Sequence, residues 1–212
     1  MITAHTANCR VLILAAFEPE LTPLRQLEAA HPSLSLHSVG VGMVEAALGT
    51  TRLLAALPDV SNTEVLFIGS AGALSPELQL LTPVVASFAA LGDPSLARGE
   101  SYLPDICPTT FPANELSSLP FLGISRCGIA TPASISATES LAALLQEQTK
   151  ASAENLELFG VATACASFGV PWSALSVITN HVGPAAHQQW KQNMPRAAEI
   201  TAELISKELW GE

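Results

Sequence analysis

The chain has 212 residues, 49% of them hydrophobic and 13% charged, with a net charge of −10. That length fits one domain with a large core, and so few charges imply an apolar surface covered by a partner, so a homo-oligomer is expected. An acidic balance without a basic cluster argues against a nucleic-acid partner, and the longest apolar runs, Val11 to Phe17 and Val84 to Leu91, are far short of a membrane span.

In chain order, residues 1–9 read as a short tail, and residues 10–212 as the single domain. Arg10 to Phe17 is a continuous apolar strand of the kind buried on both faces. Glu18-Pro19-Glu20 follows, with Pro19 suited to a first helical turn and Leu21, Leu24 and Leu27 carrying helical spacing to Ala30. Leu34 to Val39 is a second strand. Gly40-Val41-Gly42 leads from it into a helix from Met43 to Leu57. Glu64 to Ile68 is a third strand, ending in the small-residue run Gly69 to Leu74. Thr82 to Leu91 is a fourth, and the proline-rich stretch 92–120 reads as an irregular loop, a lid or a dimer contact. A strand over Phe121 to Gly128 and a helix over Thr138 to Thr149 precede Glu154-Asn155-Leu156-Glu157 and an almost wholly apolar helix ending near Gly169. A buried strand through Val177 and Ile178 runs out into Thr179-Asn180-His181 and Gly183-Pro184. The last helix is expected from Met194 to Leu209, with Asn193 as its cap and Pro195 in its first turn.

Three places carry candidate chemistry. Glu18 and Glu20 stand at a strand-to-helix junction, either as charges favoured by a helix N-terminus or as a general base over a pocket. Glu157 lies in a segment too apolar to be exposed all round, so its carboxylate is satisfied by local backbone donors or waits for ligand hydroxyls. The polar run Thr179-Asn180-His181 at the end of its strand suits a ligand site at the carboxyl end of an open α/β sheet, or is simply a strand leaving the core. Gly40-Val41-Gly42 lacks the third glycine of a dinucleotide fingerprint, since position 45 is Glu45, so a nicotinamide site is rejected. Cys9, Cys107, Cys127 and Cys165 are scattered, as expected for reduced thiols in the cytoplasm. The N-terminus has no signal-peptide pattern, and the five histidines form no close pair, so neither a metal nor a cofactor is expected.

Four motifs in one order resemble the purine nucleoside phosphorylase and nucleosidase family over roughly residues 10 to 209: Ala16-Phe17-Glu18-Pro19-Glu20, Gly40 to Ala47, Gly69 to Leu74, and Leu156-Glu157 before a small-residue helix. Asn180-His181-Val182-Gly183-Pro184, with Trp190 shortly after, resembles the branch that cleaves hypoxanthine from futalosine in menaquinone biosynthesis. The resemblance implies an α/β chain folded as a three-layer α/β/α sandwich around a mixed, partly closed sheet, usually dimeric. It implies that Glu20 activates water, with Glu18 the runner-up, and that Glu157 holds the ribose hydroxyls. Phe17 and Leu156 fall against the sugar, and Ser70, Ala71 and Gly72 at the base pocket. Ser134 and Ile135 fall where backbone meets the purine, and Trp190 in the closing segment.

Adenine-specific members carry an aspartate where this chain has Asn180. An amide offers both donor and acceptor, which favours a 6-oxopurine. No arginine lies in the Gly40–Gly42 or Gly69–Gly72 loops, so hydrolysis is expected over phosphorolysis. Lys191, His187, Arg196 and His181 are the candidates for the substrate's carboxylate. Two other readings stay open: an adenine-releasing nucleosidase acting on methylthioadenosine, S-adenosylhomocysteine or aminodeoxyfutalosine, and a nucleoside-binding protein without turnover. Met43, Leu156 and Leu158-Phe159 depart from the family pattern and keep the last reading open.

Overall fold

The computed structural model describes residues 9–210; apart from Cys9, the tail read over residues 1–9 lies outside them. Among the described residues eight strands form one mixed sheet, seven of them in the order β2 (Leu34–Ser38), β1 (Arg10–Ala15), β3 (Thr63–Ala73), β7 (Ala153–Glu154), β6 (Arg126–Pro132), β4 (Pro83–Gly92) and β5 (Thr110–Pro112). The last strand, β8 (Trp172–His181), bridges β3 and β4. The run β3-β8-β4-β6-β7 therefore returns to β3 and closes a ring, with β1 and β2 extending from one side and β5 from the other. The unbroken apolar run of β1 has its cause here: β1 lies parallel between β2 and β3 and buries both faces.

Helices cover both faces. On one, α3 (Met43–Ala56) and α6 (Leu158–Phe168) pack over a core that includes Leu54, Phe67, Val161 and Trp172. On the other, α1 (Glu18–Leu21), α2 (Arg25–Ala30) and α7 (Ala186–Trp210) cover Ile13, Leu21, Leu66 and Ile205. A smaller cluster seats α5 (Glu139–Thr149) through Leu145 beside Ala130. No helix among the described residues is long and apolar enough to cross a membrane.

The structure corrects several boundaries. The helix expected from Pro19 to Ala30 is divided by a 3-10 turn at Thr22–Leu24, because Pro23 removes an amide donor and cannot continue the α-helical ladder. The run Gly69 to Ala73 is strand rather than loop: it pairs with β8 on one side and β7 (Ala153–Glu154) on the other. The strand expected at Phe121–Gly128 is β6 at Arg126–Pro132. Phe121 sits in a turn at φ 47° and is apolar because it fills the second core.

The stretch 92–120 is not a lid. It forms α4 (Pro94–Ala97) and β5, then runs back into the core through Leu116 and Leu119, and none of it reaches the cavity described below. Finally, α7 starts at Ala186, eight residues before the expected start, and Pro195 lies inside it. Asn193 is not a cap. Its Nδ2 donates to Thr179 O (2.8 Å), and Gln189 Oε1 accepts from His181 N–H (2.9 Å). These two residues, one turn apart, tie the first turns of α7 to the end of β8 and outweigh the proline signal.

Candidate active site

A cavity of about 350 Å³ lies at the carboxyl ends of the parallel strands β1, β3 and β8, the end of such sheets at which ligands bind. Its wall begins with Ala16 and Phe17, where β1 ends. The short helix α1 follows at once and turns Glu20 inward and Glu18 outward.

Glu20 is 5% exposed. Its Oε1 accepts from Ser70 N–H (3.0 Å) and Ser70 Oγ–H (3.1 Å), while Oε2 is buried with no protein donor. Burial pushes its carboxyl up to about 7; the Ser70 donors oppose the shift and the nearby Glu157 adds to it. Glu18, two residues away, is exposed and doubly hydrogen-bonded to Arg25 (2.9 and 2.8 Å), which holds its carboxyl below the ordinary range.

Glu157 enters from the start of α6. Asn155 sets its position: Asn155 Oδ1 accepts from the amides of Glu157 (2.8 Å) and Leu158 (3.0 Å), while Nδ2 donates to Ser70 O (3.0 Å). Asn155 thus ties the Glu157 segment to the same residue that holds Glu20. Glu157 Oε1 accepts from Gly42 N–H (2.8 Å). Gly42 has φ 90°, a conformation that disfavours any side chain, and this turns its amide toward the carboxylate. Burial raises the Glu157 carboxyl despite that bond.

Asn180 closes the far end of the cavity. Its Oδ1 accepts from Thr179 Oγ–H (3.0 Å) and its Nδ2 donates to His181 O (3.3 Å), leaving one amide hydrogen uncommitted. Above it, Trp190 on α7 packs against Phe17 (centroids 6.4 Å apart) and stacks on His187 (5.8 Å).

Ten sequence-selected residues meet at this cavity. Phe17, Glu20, Leu156 and Glu157 stand toward its α1 and α6 side. Ser70, Ala71, Gly72 and Asn180 line the strand ends, with Ile135 and Trp190 at the margin. Ser134 is exposed and does not reach it. Of the four cationic candidates only His187 lines the wall; Arg196 is paired with Glu199 (3.0 Å) and Glu203 (2.8 Å). Phe159 packs on Phe111 (5.2 Å), away from the cavity. Sequence reasoning missed Glu154 and Asn155 as lining residues, while Thr179 lies in the polar strand end it singled out. The signal was present: Glu154, Asn155 and Glu157 are three carboxyl or amide groups in four positions of an otherwise apolar segment.

The model of the phosphorylase superfamily matches residues 22–209. A futalosine hydrolase of Streptomyces coelicolor is 29% identical over 191 residues, 80% of each chain. A 5′-methylthioadenosine/S-adenosylhomocysteine nucleosidase of Actinobacillus succinogenes is also 29% identical, over 82% of this chain and 79% of its own. The structure of the Helicobacter pylori nucleosidase of that name superposes with a TM-score of 0.83 at 20% identity, covering 97% of this chain and 99% of the other. This chain belongs to the phosphorylase superfamily and groups there with nucleosidases, enzymes that hydrolyse N-glycosidic bonds.

Proposed function

We propose that this chain hydrolyses the N-glycosidic bond of futalosine and releases hypoxanthine. The observation that carries this reading is the Asn180 amide. Thr179 holds its oxygen, so its nitrogen offers a hydrogen to the base end of the cavity. N7 accepts in either purine, but at position 6 a 6-oxopurine presents an acceptor where adenine presents an amino donor.

Bond cleavage builds positive charge on the sugar and negative charge on the base. Glu20, whose carboxyl burial pushes up to about 7, takes a proton from the attacking water in its ionised form. The free oxygen of Glu157 receives the ribose hydroxyls, and its charge lies where the sugar becomes cationic. Asn180 donates to the departing base. Phe17 and Leu156 pack the sugar, and Trp190 closes over it. No lysine or arginine is among the residues lining the cavity, which suits water rather than phosphate as the nucleophile. His187, the cationic candidate that lines the cavity, is the residue we assign to the substrate's carboxylate.

The homodimer rests on an apolar face of α3, where Val44 and Leu48, one turn apart, are 66% and 44% exposed beside Val41 at the cavity wall. Cytoplasmic placement rests on the four cysteines, all free thiols. The test is chromatography of free bases after incubation with futalosine, inosine and methylthioadenosine in phosphate-free buffer. Hypoxanthine from futalosine is expected. Adenine from methylthioadenosine, without hypoxanthine, would replace this reading with the adenine-releasing one. No free base from any of the three would overturn turnover itself.

A further inference from the structure

Glu154 lines the cavity, yet the mechanism above does not use it. It lies on β7, which pairs with β3 so that Glu154 stands opposite Gly72. Asn180 stands opposite the same glycine from β8, on the other side of β3. Adjacent strands are roughly 4.8 Å apart, so the two residues flank Gly72 at a spacing of roughly 10 Å. Both side chains lean over that glycine: a Cβ there would lie 3.0 Å from Asn180 Nδ2 and 3.3 Å from Glu154 Cγ. The missing side chain leaves a slot between an amide on one side and a carboxylate on the other.

The Glu154 carboxylate is half used. Oε1 accepts from Ser136 N–H (3.1 Å); Oε2 is buried with no protein donor, and the residue is 5% exposed. Ser136 Oγ stands near the same carboxylate without reaching hydrogen-bond geometry. A buried carboxylate oxygen without a donor is costly and calls for a partner from outside the chain. We propose that Glu154 is a specificity-determining residue that accepts the N1–H of a 6-oxopurine while Asn180 donates to the adjoining O6. Hypoxanthine presents a donor at position 1 and an acceptor at position 6; adenine presents the reverse. The pairing of Glu154 with Asn180 across Gly72 reads both positions at once.

The inference rests on the futalosine reading, and one substitution separates their failures. In Glu154→Gln the Ser136 amide still requires an oxygen, so the new NH₂ takes the place of Oε2. It then opposes N1–H of hypoxanthine and matches the lone pair of adenine N1. The readout is the ratio of kcat/KM for futalosine to that for its 6-amino counterpart, in wild type and variant. The ratio does not depend on how much of the variant folds. A fall in the ratio of about ten- to hundredfold, as expected for a mismatched buried hydrogen bond, supports the proposal. A wild type that releases hypoxanthine together with a variant ratio within threefold of it overturns the role of Glu154 and leaves the futalosine reading standing. A wild type that releases only adenine overturns both.

Discussion

The two ends of β3 hold buried carboxylates in nearly the same grip. At its start, Glu64 Oε1 accepts from the backbone amide (2.8 Å) and hydroxyl (2.7 Å) of Ser117. At its far end, Ser70 gives Glu20 the same pair of bonds. The second oxygens differ. Glu64 Oε2 accepts from Ser118 N–H (3.1 Å), whereas Glu20 Oε2 has no protein donor. The first arrangement is complete and fixes the loop that carries Leu116 and Leu119 into the core. The second is incomplete and faces a cavity. Burial alone does not mark a carboxylate that faces a ligand; burial with unfilled hydrogen-bonding capacity beside a cavity does.

The sharpest break of that comparison is Glu20→Gln. Turnover should fall by about a hundredfold to ten-thousandfold, the range for loss of a general base, with thermal stability undiminished. If near-normal kcat survives in steady-state assays, Glu20 is not the base. The pH dependence follows from the same burial. Because the folded-state carboxyl lies near 7, above its ordinary 4.5, the native protein binds the proton more tightly than the unfolded chain. This group's contribution to stability is therefore largest in acid and declines as pH rises from about 4.5 to about 7. Melting curves across that window should flatten in Glu20→Gln, while wild-type kcat/KM should rise through about pH 7.

Glu157→Gln keeps the size of the side chain and the Gly42 contact but removes the charge opposite the sugar. A loss of about ten- to hundredfold in kcat/KM is expected, read from initial rates at low substrate. Glu64→Gln should do the reverse of Glu20→Gln. It leaves the Ser118 amide without its acceptor and should lower stability by about 1–3 kcal/mol in urea titrations, with kcat unchanged. A normal melt for this variant would remove the distinction between the two ends of β3. Gly72→Ala places a methyl 3.0 Å from Asn180 Nδ2 and 3.3 Å from Glu154 Cγ. It should cost severalfold in kcat/KM, with a smaller effect on the melt than Glu64→Gln. The smallest effect belongs to Glu18→Ala. Its carboxylate is exposed and engaged by Arg25, and turnover should stay within about twofold of wild type. A collapse of activity there would transfer the role of base from Glu20 to Glu18.

Much of this molecule was legible from residue order. The apolar run of β1 announced a strand buried on both faces, and the family resemblance carried by the motifs named eleven residues, ten of which line one cavity. Local patterns succeed where one feature dominates, as β-branched runs do for strands. They failed where distant partners decided the outcome. Pro195 read as a helix start, but Gln189 and Asn193 bind the end of β8 and extend the helix back to Ala186. Phe121 read as strand and is a turn residue filling a core. Residue type alone left both Glu18 and Glu20 open, the resemblance ranked Glu20 first, and the turn of α1 buries Glu20 and exposes Glu18.

The sequence by itself determined the sheet-and-helix class and the acidic balance, which follow from composition and short-range periodicity, while the residues of the candidate site followed from the family resemblance. Only the tertiary structure decided which carboxylates are finished and which are not. A hydrogen-bond deficit depends on donors brought together from Ser70, Gly42 and Ser136, and the positions of those donors follow from the closure of the sheet.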